Sequence, residues 1–200
     1  STAITAWGRA MFEYLGVLIA VILGLALTHL VRGLAKLIHE RRTVRVWWPH
    51  VLWSINMIIY VLGIWFGMFW WNGLKEWSVQ QFFFIAGYCT VIFLLASLLY
   101  PPEFPDHLSC ERHFFDNKAW FFGIQFLAFL LDIPETVAKS TAHLRDVPRE
   151  YAFYIPIILV ICVIGLASKN RRVQAALPVA WLAATLSYLT LTSLDKIASG

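Results

Sequence analysis

Few side chains in this sequence are equipped for chemistry, and the ones that stand out sit where polar groups are costly. His29, Asn56, Gln125 and Asp132 each lie inside a long run of Leu, Ile, Val and Phe. Such groups are by default candidates for solute paths, proton relays or ligand contacts, because each has to be paired, protonated or hydrated. At a helical rise of about 1.5 Å per residue, Thr28 and His29 fall in one end third of the first apolar run. His50 falls at the entry to the second run, with Asn56 about two turns deeper. Gln125 lies at a similar depth in the fourth, so His29, Asn56 and Gln125 form one polar layer if their helices face each other. Three readings compete for that layer: interhelical hydrogen bonds worth about 1 kcal/mol each, a pore constriction or solute site, and haem ligation by His29 and His50. Haem would need both imidazoles on one iron, and no CxxCH sequence accompanies them.

Asp132 lies between Leu131 and Ile133, two residues before Pro134, with Glu135 close behind it; Glu13 stands near the same face on the first run. A carboxyl group there is protonated, paired with a cation such as Lys139, or facing water. It either caps backbone groups freed by a kink at Pro134 or handles protons or cations. The expected polar path comprises Glu13, His29, Arg32, His50, Asn56, Gln125 and Asp132.

Other chemistries find less support. The segment 101–116 (PPEFPDHLSCERHFFD) gathers Glu103, Asp106, His107, Cys110, Glu111, His113 and Asp116, but without HxxxH or HExxH spacing, so no metal site is expected. Cys89, Cys110 and Cys162 lack CxxC spacing and read as small hydrophobes. There is no nucleophile elbow and no P-loop, which points away from an enzyme. An enzyme acting on lipid headgroups through Asp106, His107 and His113 is the weakest alternative. No cofactor is predicted, haem being the minor alternative.

The elements that position these residues are spanning helices. Hydrophobic residues make up 60% of the 200 and charged residues only 14%, with mean hydropathy +0.67. A soluble domain of this size has too little interior for that much apolar surface. Apolar segments near 12–37, 51–71, 79–100, 118–137, 151–167 and 173–194 approach the roughly 20 residues a span requires. The expected architecture is an all-α, polytopic transmembrane bundle of about six spans in a single domain. The first segment is too long for a signal-peptide core. An interfacial loop or short helix joins spans three and four, with Leu108, Phe114 and Phe115 lying in the membrane interface. A polar connection follows at 140–150.

Ten basic residues flank the turns after spans one, three and five: Arg32, Lys36, Arg41, Arg42, Arg45, Arg112, Lys118, Lys169, Arg171 and Arg172. Six lie on the other side: Arg9, Lys75, Lys139, Arg145, Arg149 and Lys196. The positive-inside rule then puts both termini on the non-cytoplasmic side. The net charge of +4 comes from these short juxtamembrane runs, which fit anionic lipid and not nucleic acid. Gly16, Ala20 and Gly24 repeat every fourth residue, a spacing that permits close helix packing within the chain or between copies. The two three-helix halves share no repeat, so an inverted-repeat transporter is not supported.

The stretch 14–53 (YLGVLIAVILGLALTHLVRGLAKLIHERRTVRVWWPHVLW) resembles the start of a group of small bacterial inner-membrane proteins without assigned activity. There a Gly-rich first span leads through a Gly–basic segment and an Arg-rich turn to a Trp-Pro-His entry. The junction 117–123 (NKAWFFG) adds to the likeness. The resemblance implies a bacterial inner membrane. It singles out Thr28, His29, Arg32, Gly33, Trp48, Pro49, His50 and Trp53. The function expected is a small channel or transporter for an ion or small solute, as a homo-oligomer. The alternative is a haem-, quinone- or lipid-binding or accessory subunit of a larger membrane complex.

Overall fold

The computed structural model describes residues 2–74, 76–104 and 107–198, with side chains over 10–74, 76–104 and 107–192. Lys75 and Asp106 lie outside the described residues, as do the side chains of Arg9, Asp195 and Lys196. The described residues form six α-helices: α1 (Thr2–His39), α2 (Trp48–Met68), α3 (Val79–Ser97), α4 (Cys110–Thr141), α5 (Tyr151–Ala167) and α6 (Arg171–Ala198). One 3-10 turn, Phe69–Gly73, extends α2. Five helices are long and apolar enough to cross a membrane: Ala10–His39, Trp48–Gly73, Val79–Ser97, Cys110–Thr141 and Arg171–Thr192. The protein is a multi-pass integral membrane protein with an all-α bundle. The fifth expected span coincides with α5, which at 17 residues is the shorter apolar helix.

The helices close a ring in the order α1, α3, α4, α5, α6, α2, and α2 also touches α3 and α4 across the interior. Two ends can be told apart by contact. At one, the Arg45 N–H donates to the Leu108 carbonyl and the Cys110 N–H to the Arg45 carbonyl, at 2.8 and 3.1 Å. Arg171 pairs with Glu111 at the same end, so the three basic turns share one face of the bundle. At the other end Phe12 meets Trp77 and Arg145 lies over Trp70.

Local sequence explains the boundaries. Pro49 occupies the first turn of α2, where its missing N–H costs nothing. Ser78 and Gln81 form a reciprocal capping box that starts α3. Ser109 caps α4 by accepting from the Arg112 N–H. That cap starts α4 eight residues before 118, and it shortens the expected interfacial loop. Leu108 and Phe114 of this segment are buried in the protein and do not face lipid, and Phe114 packs on Trp47 and Phe121. α4 runs through Pro134 without a break.

Lipid gives no hydrophobic reward for helix association, so the interior is held by packing and interhelical hydrogen bonds. Trp53 is fully buried and meets Phe121, Phe122 and Trp181 edge-on, with centroids 5.1, 5.6 and 6.5 Å apart. Tyr60 stacks on Phe129 at 5.0 Å. Val17, Val21, Phe66, Phe83 and Phe153 instead point outward, toward acyl chains.

Candidate functional site

Asp132 anchors a polar site in the half of the bundle away from the basic turns. Its Oδ1 accepts from the Tyr88 hydroxyl of α3 at 2.8 Å, and its Oδ2 from the Tyr151 hydroxyl of α5 at 2.7 Å. Because Tyr88 donates to the carboxylate, Tyr60 of α2 is the donor in the 3.4 Å contact between the two hydroxyls. Four helices thus converge on one carboxyl group. Asp132 neither caps the backbone at Pro134 nor pairs with Lys139. Lys139 forms an ion pair with Glu135 one turn back, 2.5 Å long, and Trp71 Nε1 donates to the same Glu135 oxygen at 2.8 Å.

A cavity of about 350 Å³ adjoins these groups. α2 contributes Tyr60, Gly63 and Gly67, and α4 contributes Asp132, Glu135, Thr136 and Lys139. Tyr151 and Tyr154 of α5, Trp181, Thr185 and Tyr188 of α6, and Arg145 from the α4–α5 connection complete it. Tyr154 stacks on Tyr188 at 4.6 Å and shares a 3.2 Å hydrogen bond with Thr185. On the side toward the basic end, the ring cluster of Trp53, Phe121 and Phe122 fills the bundle.

The other expected residues separate. Asn56 and Gln125 are both fully buried, but they do not meet. Asn56 Nδ2 donates to the Pro178 carbonyl of α6 at 2.8 Å, and Gln125 Oε1 accepts from Cys162 of α5 at 3.6 Å. Each pins α2 or α4 to a different neighbour, as interhelical bonds do. His29 instead joins a second group at the basic end. Its ring lies 6.3 Å from that of Tyr100, and the His50 ring lies 5.0 Å from Tyr100 and 6.2 Å from His113. The Tyr100 hydroxyl is 2.8 Å from Ser54 Oγ, which donates to the His50 carbonyl at 3.0 Å. Ser54 has one proton, so Tyr100 is the donor to it. Tyr100 thus lies against both His29 and His50. Glu13 and Arg32 are exposed on α1 and line neither group. Among the described residues, no cluster of His, Cys, Asp and Glu is arranged to hold a metal. Of the residues in the headgroup alternative, His107 and His113 line a separate cavity beside Arg45 and Arg112.

Sequence reasoning missed the tyrosines. Tyr60, Tyr88, Tyr154 and Tyr188 all lie in apolar runs, where a phenol hydroxyl needs a partner. That need was the available signal. The Glu135–Lys139 spacing of four was another. Arg145 carried no signal, since it reads as an ordinary loop residue.

No protein-family model matches the chain, and no curated protein or solved structure matches it at a significant level.

Proposed function

We propose that this protein moves a small solute or ion across a bacterial inner membrane, and that the Asp132 cavity is where it is taken up. The observation that carries this reading is the carboxylate itself. Asp132 is braced by two tyrosine hydroxyls from different helices beside a cavity of about 350 Å³. Sites of this kind are largely preformed and carry a few placed polar groups among aromatic rings. The aromatic packing of Trp53, Phe121 and Phe122 supports a carrier that exposes the site to one side at a time, over a permanently open pore. Basic residues at one end favour a cytoplasmic assignment for that end and a non-cytoplasmic one for both termini. The open space above Gly16 and Gly24 on α1 favours assembly through that helix into a homo-oligomer.

The test is transport in liposomes by the purified full chain, using entrapped proton-, sodium- and potassium-sensitive dyes and a swelling assay with small uncharged solutes, amino acids and amines. Flux that Asp132→Asn abolishes, in protein that retains its near-ultraviolet circular dichroism, supports the reading. Absence of any Asp132-dependent flux or binding across the panel overturns it.

A second reading, an accessory subunit of a larger complex, draws on the three histidines around Tyr100. Co-purification of a stoichiometric partner or pigment that His50→Ala releases would favour it.

A further inference from the structure

The charges lining the cavity are four: Asp132, Glu135, Lys139 and Arg145. Glu135 and Lys139 neutralise each other in a direct ion pair. The other two stand apart. Asp132 is held by hydroxyls, and no basic group lies within 4 Å of it among the described residues. Arg145 has no carboxylate within 4 Å among the described residues, and its guanidinium lies over the Trp70 ring at 5.4 Å. One charge of each sign therefore faces a single cavity without a direct ion-pair partner, and charges taken from water without close pairing are costly.

We infer that the solute is a small zwitterion of amino-acid size, its ammonium group at Asp132 and its carboxylate at Arg145. This inference rests on the solute-site reading above and narrows it. Size permits it: the cavity of about 350 Å³ holds roughly a dozen water volumes, room for a free amino acid together with some water. The lining agrees as well. Phenol rings of Tyr60, Tyr154 and Tyr188 suit an ammonium group through their electron-rich faces, and Trp181 and Phe129 suit an apolar side chain. An inorganic cation would leave Arg145 uncompensated, and a simple anion would leave Asp132 so. A zwitterion satisfies both while adding no net charge to the membrane interior.

The experiment compares small ligands carrying both charges or only one, using the full chain in detergent with titration calorimetry and thermal shift. L-leucine, L-phenylalanine and 5-aminopentanoate supply both charges, at short and long separation. Leucinamide supplies only the cation and N-acetyl-leucine only the anion. Binding of at least one zwitterion, with both single-charge analogues ten-fold or more weaker, is the expected result. Asp132→Asn and Arg145→Gln should each remove that preference. The ligand comparison on the unaltered protein decides the matter even if a variant fails to fold. Leucinamide binding as well as leucine, lost in Asp132→Asn, overturns the zwitterion and leaves the solute site standing. No Asp132-dependent binding of any probe overturns both.

Discussion

Gly33 of α1 lies directly against the ring of Tyr100: a Cβ at position 33 would overlap the phenol carbons. The ring occupies the space a side chain would take, and from there it reaches His29, His50 and Ser54. A glycine that looks like a helix-packing residue in sequence is thus a seat for one aromatic group at the basic end. Gly165 and Phe122 stand in the same relation between α5 and α4.

Gly33→Ala is accordingly expected to destabilise the bundle by about 1–3 kcal/mol, the usual cost of overpacking. Gly16→Ala, where a Cβ meets nothing within 4 Å, should leave the monomer unchanged or slightly firmer through helix propensity. Thermal unfolding of both in the same detergent checks the pair. Equal behaviour would contradict the close approach at Tyr100.

The bond from Tyr88 to Asp132 predicts coupling. Tyr88→Phe and Asp132→Asn, singly and together, form a double-mutant cycle. The expected interaction energy is about 1 kcal/mol, the scale measured for hydrogen bonds between membrane helices. Strict additivity in unfolding free energy would mean the two groups do not bond.

Breaking the Glu135–Lys139 pair should cost more than removing it. Lys139→Met leaves a buried carboxylate that Trp71 Nε1 alone serves among the described residues, a loss of about 3–5 kcal/mol. Glu135→Gln together with Lys139→Met should recover much of that. A double variant no more stable than the worse single one would show that the pair holds the helix by something other than mutual charge.

Lys118 of α4 donates to the Gly165, Leu166 and Ser168 carbonyls at 3.2, 3.0 and 3.1 Å. These are terminal acceptors of α5 that no helical N–H reaches, and a cation there also meets the negative end of the helix dipole. Lys118→Met should cost about 1 kcal/mol and speed amide exchange selectively in the last turn of α5. Uniform change across the bundle would argue against a capping role.

Much of the architecture was legible from the chain alone. Apolar length fixes where helices cross a membrane, because every backbone polar group in lipid has to be satisfied within its own segment. The bounds 151–167 match α5 to the residue, since Glu150 and Ser168 flank a run with no charge in it. The start of α4 was not legible, because Arg112, His113 and Asp116 look like loop, and only the Ser109 cap and the Arg45 bridge make them helical.

The candidate site divides the same way. Sequence by itself marked Asp132, because a carboxyl group between Leu131 and Ile133 is costly in lipid wherever its partners lie. It equally marked His29, Asn56 and Gln125 as one layer, and depth alone could not say which way each side chain turns. The tertiary structure decided that. The ring order sets α6 against Asn56, α5 against Gln125 and Tyr100 against His29. It brings tyrosines from three other helices to Asp132 because the chain folds α2, α3 and α5 around α4. Depth is a property of one helix, and a residue's partners depend on how six helices pack.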